Sequence, residues 1–390
     1  MTHSLSLRLL LLLISIFSAP GFTAEKNKKA KPPSDYDKAL IAYQTKDYAT
    51  ALMLLFPLAD AGDANAQFKL GKMYLDQKDQ RKDPAESASW IKKAAEQNHI
   101  EAQSLLGQMY LKGVGVKRNF SQAAKWLLKA ARQKDQQAQY ILAKLYYFGD
   151  GVNKSPSKAA YWYKKAAKQN HTESQNKLGL MYLSGDGIKK KPKKAKQWFE
   201  KAALSGNTHA QINLAKLYLN SGVVKKDKQK AFSWYKKAAT SGNAEAQNQL
   251  GEMLENAIGT AKNIKKAISW YQKSAKQNNP QAHYNLGRAY VHGYGGLAQN
   301  FKKGIAHFHK AAERGHGEAQ KNLGVAYYTG KGVAPDSAIA YAWFYVAAAS
   351  NVKEARDTKN ALYKKLTKED KKRATTLATE YKRKYFKPSK

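Results

Sequence analysis

Residues 102–131 read AQSLLGQMYLKGVGVKRNFSQAAKWLLKAA and contain two stretches of helical periodicity separated by a glycine-rich break. Small and apolar residues recur at intervals of three and four from Ala102 to Tyr110, and again from Ala123 to Ala131. The break, GVGV, is typical of a turn because glycine accepts backbone angles that other residues avoid. The stretch therefore predicts two antiparallel helices, here called helix A and helix B, joined by a glycine turn.

The same pattern recurs along the chain with a period of 36 residues. The small residue that begins the apolar face of helix A stands at Ala66, Ala102, Ala138, Ser174, Ala210, Ala246, Ala282 and Ala319. The tryptophan column of helix B comprises Trp90, Trp126, Trp162, Trp198, Trp234, Trp270 and Trp343, and His307 takes the remaining place. No single helix pair can bury its apolar faces alone, so the eight units must stack into an all-α solenoid.

These columns resemble those of the Sel1-like repeat, a relative of the tetratricopeptide repeat, over roughly residues 64–351. The resemblance implies a right-handed α/α solenoid with a helical half-repeat or cap at residues 35–63 and a helical cap with a basic tail at residues 352–390. In that tail, we expect the last helix to begin near Thr367, with Asp370 placed as in a capping box. Members of the family are typically adaptors that bind other proteins.

The chain departs from the family pattern at three points. Disulfide-linked members carry a cysteine in each unit, whereas this chain has none, which excludes a disulfide framework and a thiolate metal site. Unit six reads LGEMLENAIGTAKN, without the turn glycine pair or the tyrosine of helix A, and unit seven carries an extra residue in HGYGGLAQNF. These two irregular units predict a local bend near residues 255–300.

The N-terminal residues 1–24, MTHSLSLRLLLLLISIFSAPGFTA, have the basic start, short apolar run and small residues of a secretory signal peptide, with cleavage expected after Ala24. A basic, proline-containing linker follows at residues 25–34. These features predict a protein located in the periplasm or secreted. The formal net charge is +39, and such a field favours anionic partners.

The resemblance implies that helix A residues outside the packing face line a concave groove. In odd-numbered units an apolar or aromatic residue precedes a base by one helical turn. These pairs are Phe68/Lys72, Tyr140/Lys144, Ile212/Lys216 and Tyr284/Arg288, and a further column adds Tyr147 and Tyr328. The pattern predicts a groove for an acidic, hydrophobic peptide segment or domain. The alternative interpretation is that exposed positions vary freely and lysine stems cover apolar surface.

Acidic residues interrupt this basic groove in unit six, at Glu245, Glu252 and Glu255. We expect them to give a bound segment a preferred direction. On the other side, a lysine precedes the Ala-Ala pair of helix B in seven units. This lysine row comprises Lys93, Lys129, Lys165, Lys201, Lys237, Lys273 and Lys310. It is typical of a solvated outer face, although it also suits a polyanion.

The turn of unit four reads GDGIKKKPKK at residues 185–194 and is unusually basic. Its lysine cluster comprises Lys189, Lys190, Lys191, Lys193 and Lys194. It lacks the lysine and hydroxyl residue that a phosphate loop needs after its second glycine. The cluster supports an alternative function, the binding of an anionic envelope polymer through the basic surface, whereas nucleic acid is not an expected partner of an exported protein.

The chain carries none of the motifs of hydrolases, zinc proteases, nucleotide-binding loops or calcium loops, so we expect neither an enzyme nor a bound cofactor. Its nine histidines are the only possible metal ligands. Three of them, His99, His171 and His316, occupy the connector between units and are interpreted as turn residues. Others gather in unit seven, where His307 and His309 should point in different directions along one helix. A metal site is therefore not predicted.

Overall fold

The computed structural model describes residues 33–76, 82–220, 222 and 224–387, and the regular structure in these ranges is helical. The predicted signal peptide and nearly all of the linker lie outside the described residues. The helices are α1 (Asp35–Gln44), α2 (Tyr48–Asp60), α3 (Ala64–Leu75), α4 (Pro84–Glu96), α5 (Ile100–Lys112), α6 (Phe120–Arg132), α7 (Gln136–Phe148), α8 (Pro156–Lys168), α9 (Thr172–Ser184), α10 (Pro192–Leu204), α11 (Thr208–Asn220), α12 (Lys228–Thr240), α13 (Ala244–Glu255), α14 (Ile264–Lys276), α15 (Pro280–His292), α16 (Phe301–Ala312), α17 (Gly317–Thr329), α18 (Ser337–Ala349), α19 (Lys353–Lys365) and α20 (Lys368–Tyr385).

The odd-numbered helices from α3 to α17 are the A helices of eight units, and the even-numbered helices from α4 to α18 are the B helices. Each helix from α1 to α18 packs on the next one along the chain, and α20 packs on α18. Helices α1 and α2 precede the first unit. The predicted all-α solenoid of stacked helix pairs is therefore confirmed.

The glycine turn between helices A and B is fixed by two different requirements. Gly113 ends α5 in the left-handed region, with φ of 70°. Gly115 also has a positive φ, of 68°, and a Cβ there would overlap the Pro84 carbonyl of the preceding unit. The second glycine is thus needed for the close approach of neighbouring units as well as for its backbone angles.

Unit six keeps this turn although its sequence differs, which corrects the prediction that the glycine pair is missing. Gly259 holds the second position with φ of 69°, and Ala257 takes the first position with φ of 54°. The Ile258 N–H donates to the Met253 carbonyl at 2.9 Å, as the corresponding groups do in other units. Only the first glycine is replaced, and the cost is one alanine in the left-handed region.

Helices A and B of a unit approach closely because a small residue of helix A faces a large side chain of helix B. A Cβ added to Gly179 would lie 2.5 Å from the Phe199 ring, and one added to Gly251 would lie 2.5 Å from the Tyr271 ring. Substitution of these glycines therefore requires the core to move.

A ladder of buried glutamines, here called the glutamine ladder, connects the units. The Gln103 Nε2 donates to the Ala95 carbonyl at 3.0 Å, while its Oε1 accepts from Gln133 Nε2 at 2.9 Å. The carbonyl contact recurs for Gln67, Gln139, Gln175, Gln211, Gln247 and Gln320. The contacts satisfy the carbonyls at the end of each preceding helix. Unit seven carries His283 at this position.

The chain ends in helices that cover the last unit. Thr367 caps α20 by accepting a hydrogen bond from the Asp370 N–H at 3.1 Å, which confirms the predicted start of this helix. From α20, Tyr385 stacks on Trp343, with ring centroids 5.2 Å apart. The C-terminal helix therefore covers the tryptophan column where no ninth unit follows.

Candidate protein-binding surface

We call the solvent-facing side of the eight A helices the helix A face. One cavity of this face lies between α7 and α9 and has a volume of about 360 Å³. Three predicted site residues, Tyr140, Lys144 and Tyr147, line it together. Phe148 and Leu180 line it as well and are 62% and 36% exposed. The cavity thus combines exposed apolar surface with two bases, Lys144 and Lys177.

Sequence reasoning missed Phe148 and Leu180 as site residues. Leu180 stands in the same repeat column as Lys144, so its apolar character in that column is a signal for the cavity. Phe148 follows Tyr147 directly and packs edge-on against it, with centroids 5.2 Å apart. Two consecutive aromatic residues at the end of an A helix are the sequence signal that identifies Phe148 as a site residue.

Two further cavities lie between A helices along the same face. One, of about 480 Å³, is lined by Lys216 together with Leu183 and Tyr235. The other, of about 150 Å³, is lined by Arg288 and Val325. The predicted residues Phe68, Lys72 and Tyr328 line none of these three cavities, although the Tyr328 side chain is 48% exposed.

Three aromatic residues of the helix A face pack on the histidines in the connectors that follow their own units. Ring centroids lie 4.6 Å apart for Phe68/His99, 4.7 Å for Tyr140/His171 and 4.5 Å for Tyr284/His316. These histidines are helix N-caps, since each Nδ1 accepts a backbone N–H at 3.2 to 3.3 Å. The interpretation as turn residues is thus extended, because each ring both caps a helix and supports an aromatic side chain.

The cap role explains the charge state of these histidines. Burial lowers the pKa of His99, His171 and His316, while a nearby glutamate raises each pKa by a smaller amount. An Nδ1 that accepts a hydrogen bond must be unprotonated, so the neutral ring is the form that fits the cap. The other ring nitrogen of His316 lies 2.9 Å from the Gln281 side-chain oxygen.

Ile212 corrects the predicted groove. Its side chain is only 3% exposed and packs in the core of the central units. The next A helix, α13, has Asn243 as its N-cap instead of a histidine, so no cap histidine ring lies beside this position. An aliphatic side chain here turns into the core, where it removes more apolar surface from water than it would on the face.

The four predicted bases differ in their partners. The Lys216 Nζ lies 2.7 Å from Glu245 Oε1, and the Arg288 guanidinium lies 3.6 Å from Glu255. Lys72 and Lys144 make no ion pair with any described residue, and both are exposed. The acidic residues of unit six therefore neutralise the bases on either side of it, whereas Lys72 of unit one and Lys144 of unit three keep an open positive charge.

The lysine row on the opposite side has a local partner in most units. Lysine Nζ atoms lie over the preceding tryptophan ring in five pairs. These pairs are Lys93/Trp90 at 3.8 Å, Lys129/Trp126 at 4.4 Å, Lys201/Trp198 at 5.0 Å, Lys237/Trp234 at 4.3 Å and Lys273/Trp270 at 4.2 Å. This arrangement supports the interpretation of a solvated outer face in which cation–π contacts hold the row.

The lysine cluster of unit four is exposed at all five positions. Its Lys191 stands at the N-cap of α10 and makes no side-chain cap hydrogen bond. The other B helices have acidic, amide or hydroxyl caps at this position, such as Asp83 in α4, Asn119 in α6 and Ser155 in α8. At this turn a stabilising cap is replaced by another positive charge.

The histidines of unit seven separate into two groups. His283 and His307 meet, with Nδ1 atoms 3.0 Å apart, whereas His309 lies beside Tyr327 and Trp343. Among the described residues, no group of three or more histidine, aspartate or glutamate side chains is placed to hold a metal ion. In the same ranges, no helix has the length and apolar character that crossing a membrane requires.

Comparison with known proteins identifies relatives of this fold. The family model of the Sel1 repeat matches residues 64–99, 100–135, 136–171, 172–207, 208–243, 244–279, 280–316 and 317–352. A solved protective antigen of uropathogenic Escherichia coli strains, which displays an SLR fold, is 32% identical with a TM-score of 0.83, covering 90% of this chain and 76% of that one. A Sel1 repeat protein from Oxalobacter formigenes is 29% identical with a TM-score of 0.63, covering 87% and 97%. No curated protein matches the chain.

Proposed function

Because the chain belongs to the Sel1 repeat family, whose fold typically mediates protein–protein interaction, we propose that it is an exported scaffold or adaptor that binds proteins through its helix A face. Proteins of this family are generally non-catalytic scaffolds, and we propose the same for this chain. The role would lie in envelope-associated regulation, assembly or host interaction.

The cavity between α7 and α9 is the observation that carries this proposal. It combines the half-buried Tyr140 and Tyr147 with the exposed Phe148 and with Lys144, whose Nζ lies 5.8 Å from the Tyr140 ring centroid and makes no ion pair with a described residue. Aromatic side chains and a base around one recess are suited to anchor a short apolar segment with an acidic neighbour. The His171 ring behind Tyr140 holds that anchor in place, which lowers the entropy lost on binding.

The distribution of charge along the helix A face favours one orientation of a bound segment. Lys72 and Lys144 are unpaired, whereas Lys216 and Arg288 already contact acidic residues of unit six. An acidic stretch should therefore lie over the first three units, and a neutral or basic stretch over units five to seven.

Export is supported by the signal-like sequence of residues 1–24. The Escherichia coli relative is a protective antigen present in uropathogenic strains. For this chain we propose a location in the periplasm or outside the cell.

Affinity capture from envelope extracts at low and high salt tests the binding face. We expect the double variant Tyr140→Ala, Lys144→Glu to lose roughly nine-tenths of the captured partner, since it removes one anchor and reverses one charge. The matched control is Tyr161→Ala, Lys165→Glu, which changes the same residue types at the same spacing on helix B. Equal loss in both variants would contradict the proposed face.

A second candidate function is binding of an anionic envelope polymer at the lysine cluster of residues 189–194. The observation that favours it is Lys191, which replaces a helix cap with a positive charge. Polymer binding should weaken steeply with added salt because phosphate-like charges release counterions, whereas aromatic anchoring should persist. Retention of lipopolysaccharide at high salt by a variant with the five lysines changed to glutamine would exclude this cluster.

A further inference from the structure

Unit seven differs from its neighbours at two buried columns that face each other. His307 of α16 stands in the tryptophan column, and His283 of α15 stands in the glutamine ladder. Their Nδ1 atoms lie 3.0 Å apart. The histidines that replace a glutamine and a tryptophan in unit seven are therefore in direct contact with each other.

His307 has a smaller ring than the indoles of the tryptophan column, which are buried at Trp126 and Trp343 and half-buried in the central units. Beside His307 the structure has an open pocket of about 550 Å³ between α14, α15 and α16. The pocket is on the helix B side, away from the cavities of the helix A face. The corresponding groove beside Trp126 also holds a cavity, of about 760 Å³, but Glu96 is among its lining residues.

The walls of this pocket are positively charged and rich in hydrogen-bond donors. Lys273, Lys276 and Lys310 line it together with the neutral polar side chains of Ser269 and Gln272. No aspartate or glutamate is among the lining residues. Cations that surround a recess without a balancing carboxylate create a local potential that attracts an anion.

The histidine pair adds a buried group with an unmet hydrogen bond. His283 is 4% exposed, and its Nε2 has no hydrogen-bond partner of normal geometry among the described residues. Burial, followed by the charges of His307, Lys310 and Arg314, lowers the pKa of His283 to about 4, and the Ala275 carbonyl opposes this only partly. The free pocket thus holds two neutral rings in a positive field.

A metal ion fits this site poorly, although the two Nδ1 atoms are close enough to bind one. No third ligand of the usual kind accompanies the two histidines in the part of the chain that is described. The nearest charged groups, Lys273, Lys276 and Lys310, are cations that would repel the metal. Protein metal sites instead gather neutral and anionic ligands.

We propose that this pocket binds a phosphate-type oxyanion, either free or as the end group of a larger molecule. Lys273, Lys276 and Lys310 would provide the charge, and Ser269 and Gln272 would donate neutral hydrogen bonds. The bound anion would stabilise a proton on the histidine pair, so that one proton is taken up as the anion binds. The inference does not depend on the proposed protein-binding face.

Isothermal titration calorimetry with sulfate and inorganic phosphate tests the pocket. Sulfate keeps its charge between pH 6 and 8, so the pH dependence of its affinity reports protonation of the protein. We expect one saturable site, with higher affinity at the lower pH and with net proton uptake when buffers of different ionisation heat are compared. A glycerol phosphate titration distinguishes the two sources, since tighter binding of the ester than of free phosphate indicates a larger ligand.

Variants show which residues bind the anion. They also distinguish binding at the pocket from nonspecific attraction of anions to a basic protein. His283→Gln with His307→Trp restores both repeat columns, so it should fold and should abolish sulfate binding. Lys310→Gln should weaken binding about tenfold, as loss of a charged hydrogen bond does. Lys201→Gln changes the same lysine row in another unit and should have no effect.

Three results would overturn the proposal. They are undiminished sulfate binding by the variant with both columns restored, equal losses in Lys310→Gln and Lys201→Gln, and one-to-one zinc binding by a wild-type protein that does not bind sulfate. Melting temperatures of all variants show whether a loss of binding reflects unfolding.

Discussion

Tyr140 packs on His171, with ring centroids 4.7 Å apart, and the same histidine caps α9 by accepting the Ser174 N–H at 3.2 Å. One side chain thus connects the stability of a helix in unit four to the position of an aromatic anchor in unit three. The contact recurs for Phe68/His99 and Tyr284/His316. In these three places, one aromatic residue and one histidine together provide a candidate anchor and a helix cap.

Substitution of His171 separates its two roles. His171→Asn should keep the cap, because Asn207 and Asn243 occupy this position in other units, but it removes the ring behind Tyr140. His171→Ala removes both and should lower the free energy of unfolding by about 1 kcal/mol. Urea unfolding measures the stability that the helix cap contributes. The affinity for the partner measures the contribution of the Tyr140 anchor. Equal stability of the Asn and Ala variants would contradict the cap role.

The three histidine caps also predict a dependence of stability on pH. Their pKa values are lowered in the folded chain, chiefly by burial, so between the lowered values and about 6.5 the unfolded chain binds more protons. These groups should leave stability unchanged above about pH 7, and should reduce it as the pH falls below about 6.5.

A variant with Asn at positions 99, 171 and 316 is the control for this pH dependence. The difference in unfolding free energy between it and the wild type isolates the caps from the carboxylates, which titrate in both proteins. We expect the wild type to lose more stability than the variant between about pH 7 and pH 5. Parallel pH profiles would show that the caps do not titrate.

Ala257 offers a test of the turn in unit six. Its φ of 54° disfavours any residue with a Cβ, so Ala257→Gly should raise the free energy of unfolding by about 0.5 kcal/mol, net of the greater freedom of glycine in the unfolded chain. Gly113→Ala makes the reverse change in unit two and should lower it by about 1 kcal/mol. A loss of stability in Ala257→Gly would be inconsistent with strain at this position.

Substitutions at Lys191 test whether the lysine cluster has a positive charge where a stabilising helix cap could stand. Lys191→Asp supplies the missing cap of α10 and should stabilise the protein by about 1 kcal/mol. Lys190→Asp makes the same change in charge without a cap and should change stability by less than about 0.5 kcal/mol. Chemical denaturation of the two variants measures the difference. An equal change in stability in the two variants would mean that the change of charge, and not a new helix cap, determines the effect.

The sequence predicted the helix pairs and the stacking because apolar periodicity and small residues decide both locally. Lys144 and Tyr147 lie beside Tyr140 because positions one helical turn apart share a face. Ile212 was misplaced because its column lies at the edge of the packing face, where the size and polarity of each side chain decide its direction.

The contacts between units were harder to predict. The pair His283/His307 joins residues on two helices, and each replacement alone resembles ordinary variation within a column. The cap role of His171 is visible only in the structure. The regular sequence spacing between each aromatic residue and the next connector histidine is nevertheless a signal in the sequence. The predicted bend near residues 255–300 stays a prediction.

Site-specific photo-crosslinking tests the central claim, that proteins bind at the helix A face, most directly. A photoreactive phenylalanine analogue at position 148 would lie at the mouth of the cavity beside Tyr140 and Lys144, and one at position 161 would lie on exposed helix B surface of the same unit. In cells that export the protein, we predict crosslinked partner bands from position 148 and none from position 161. Bands from position 161 alone would contradict the account.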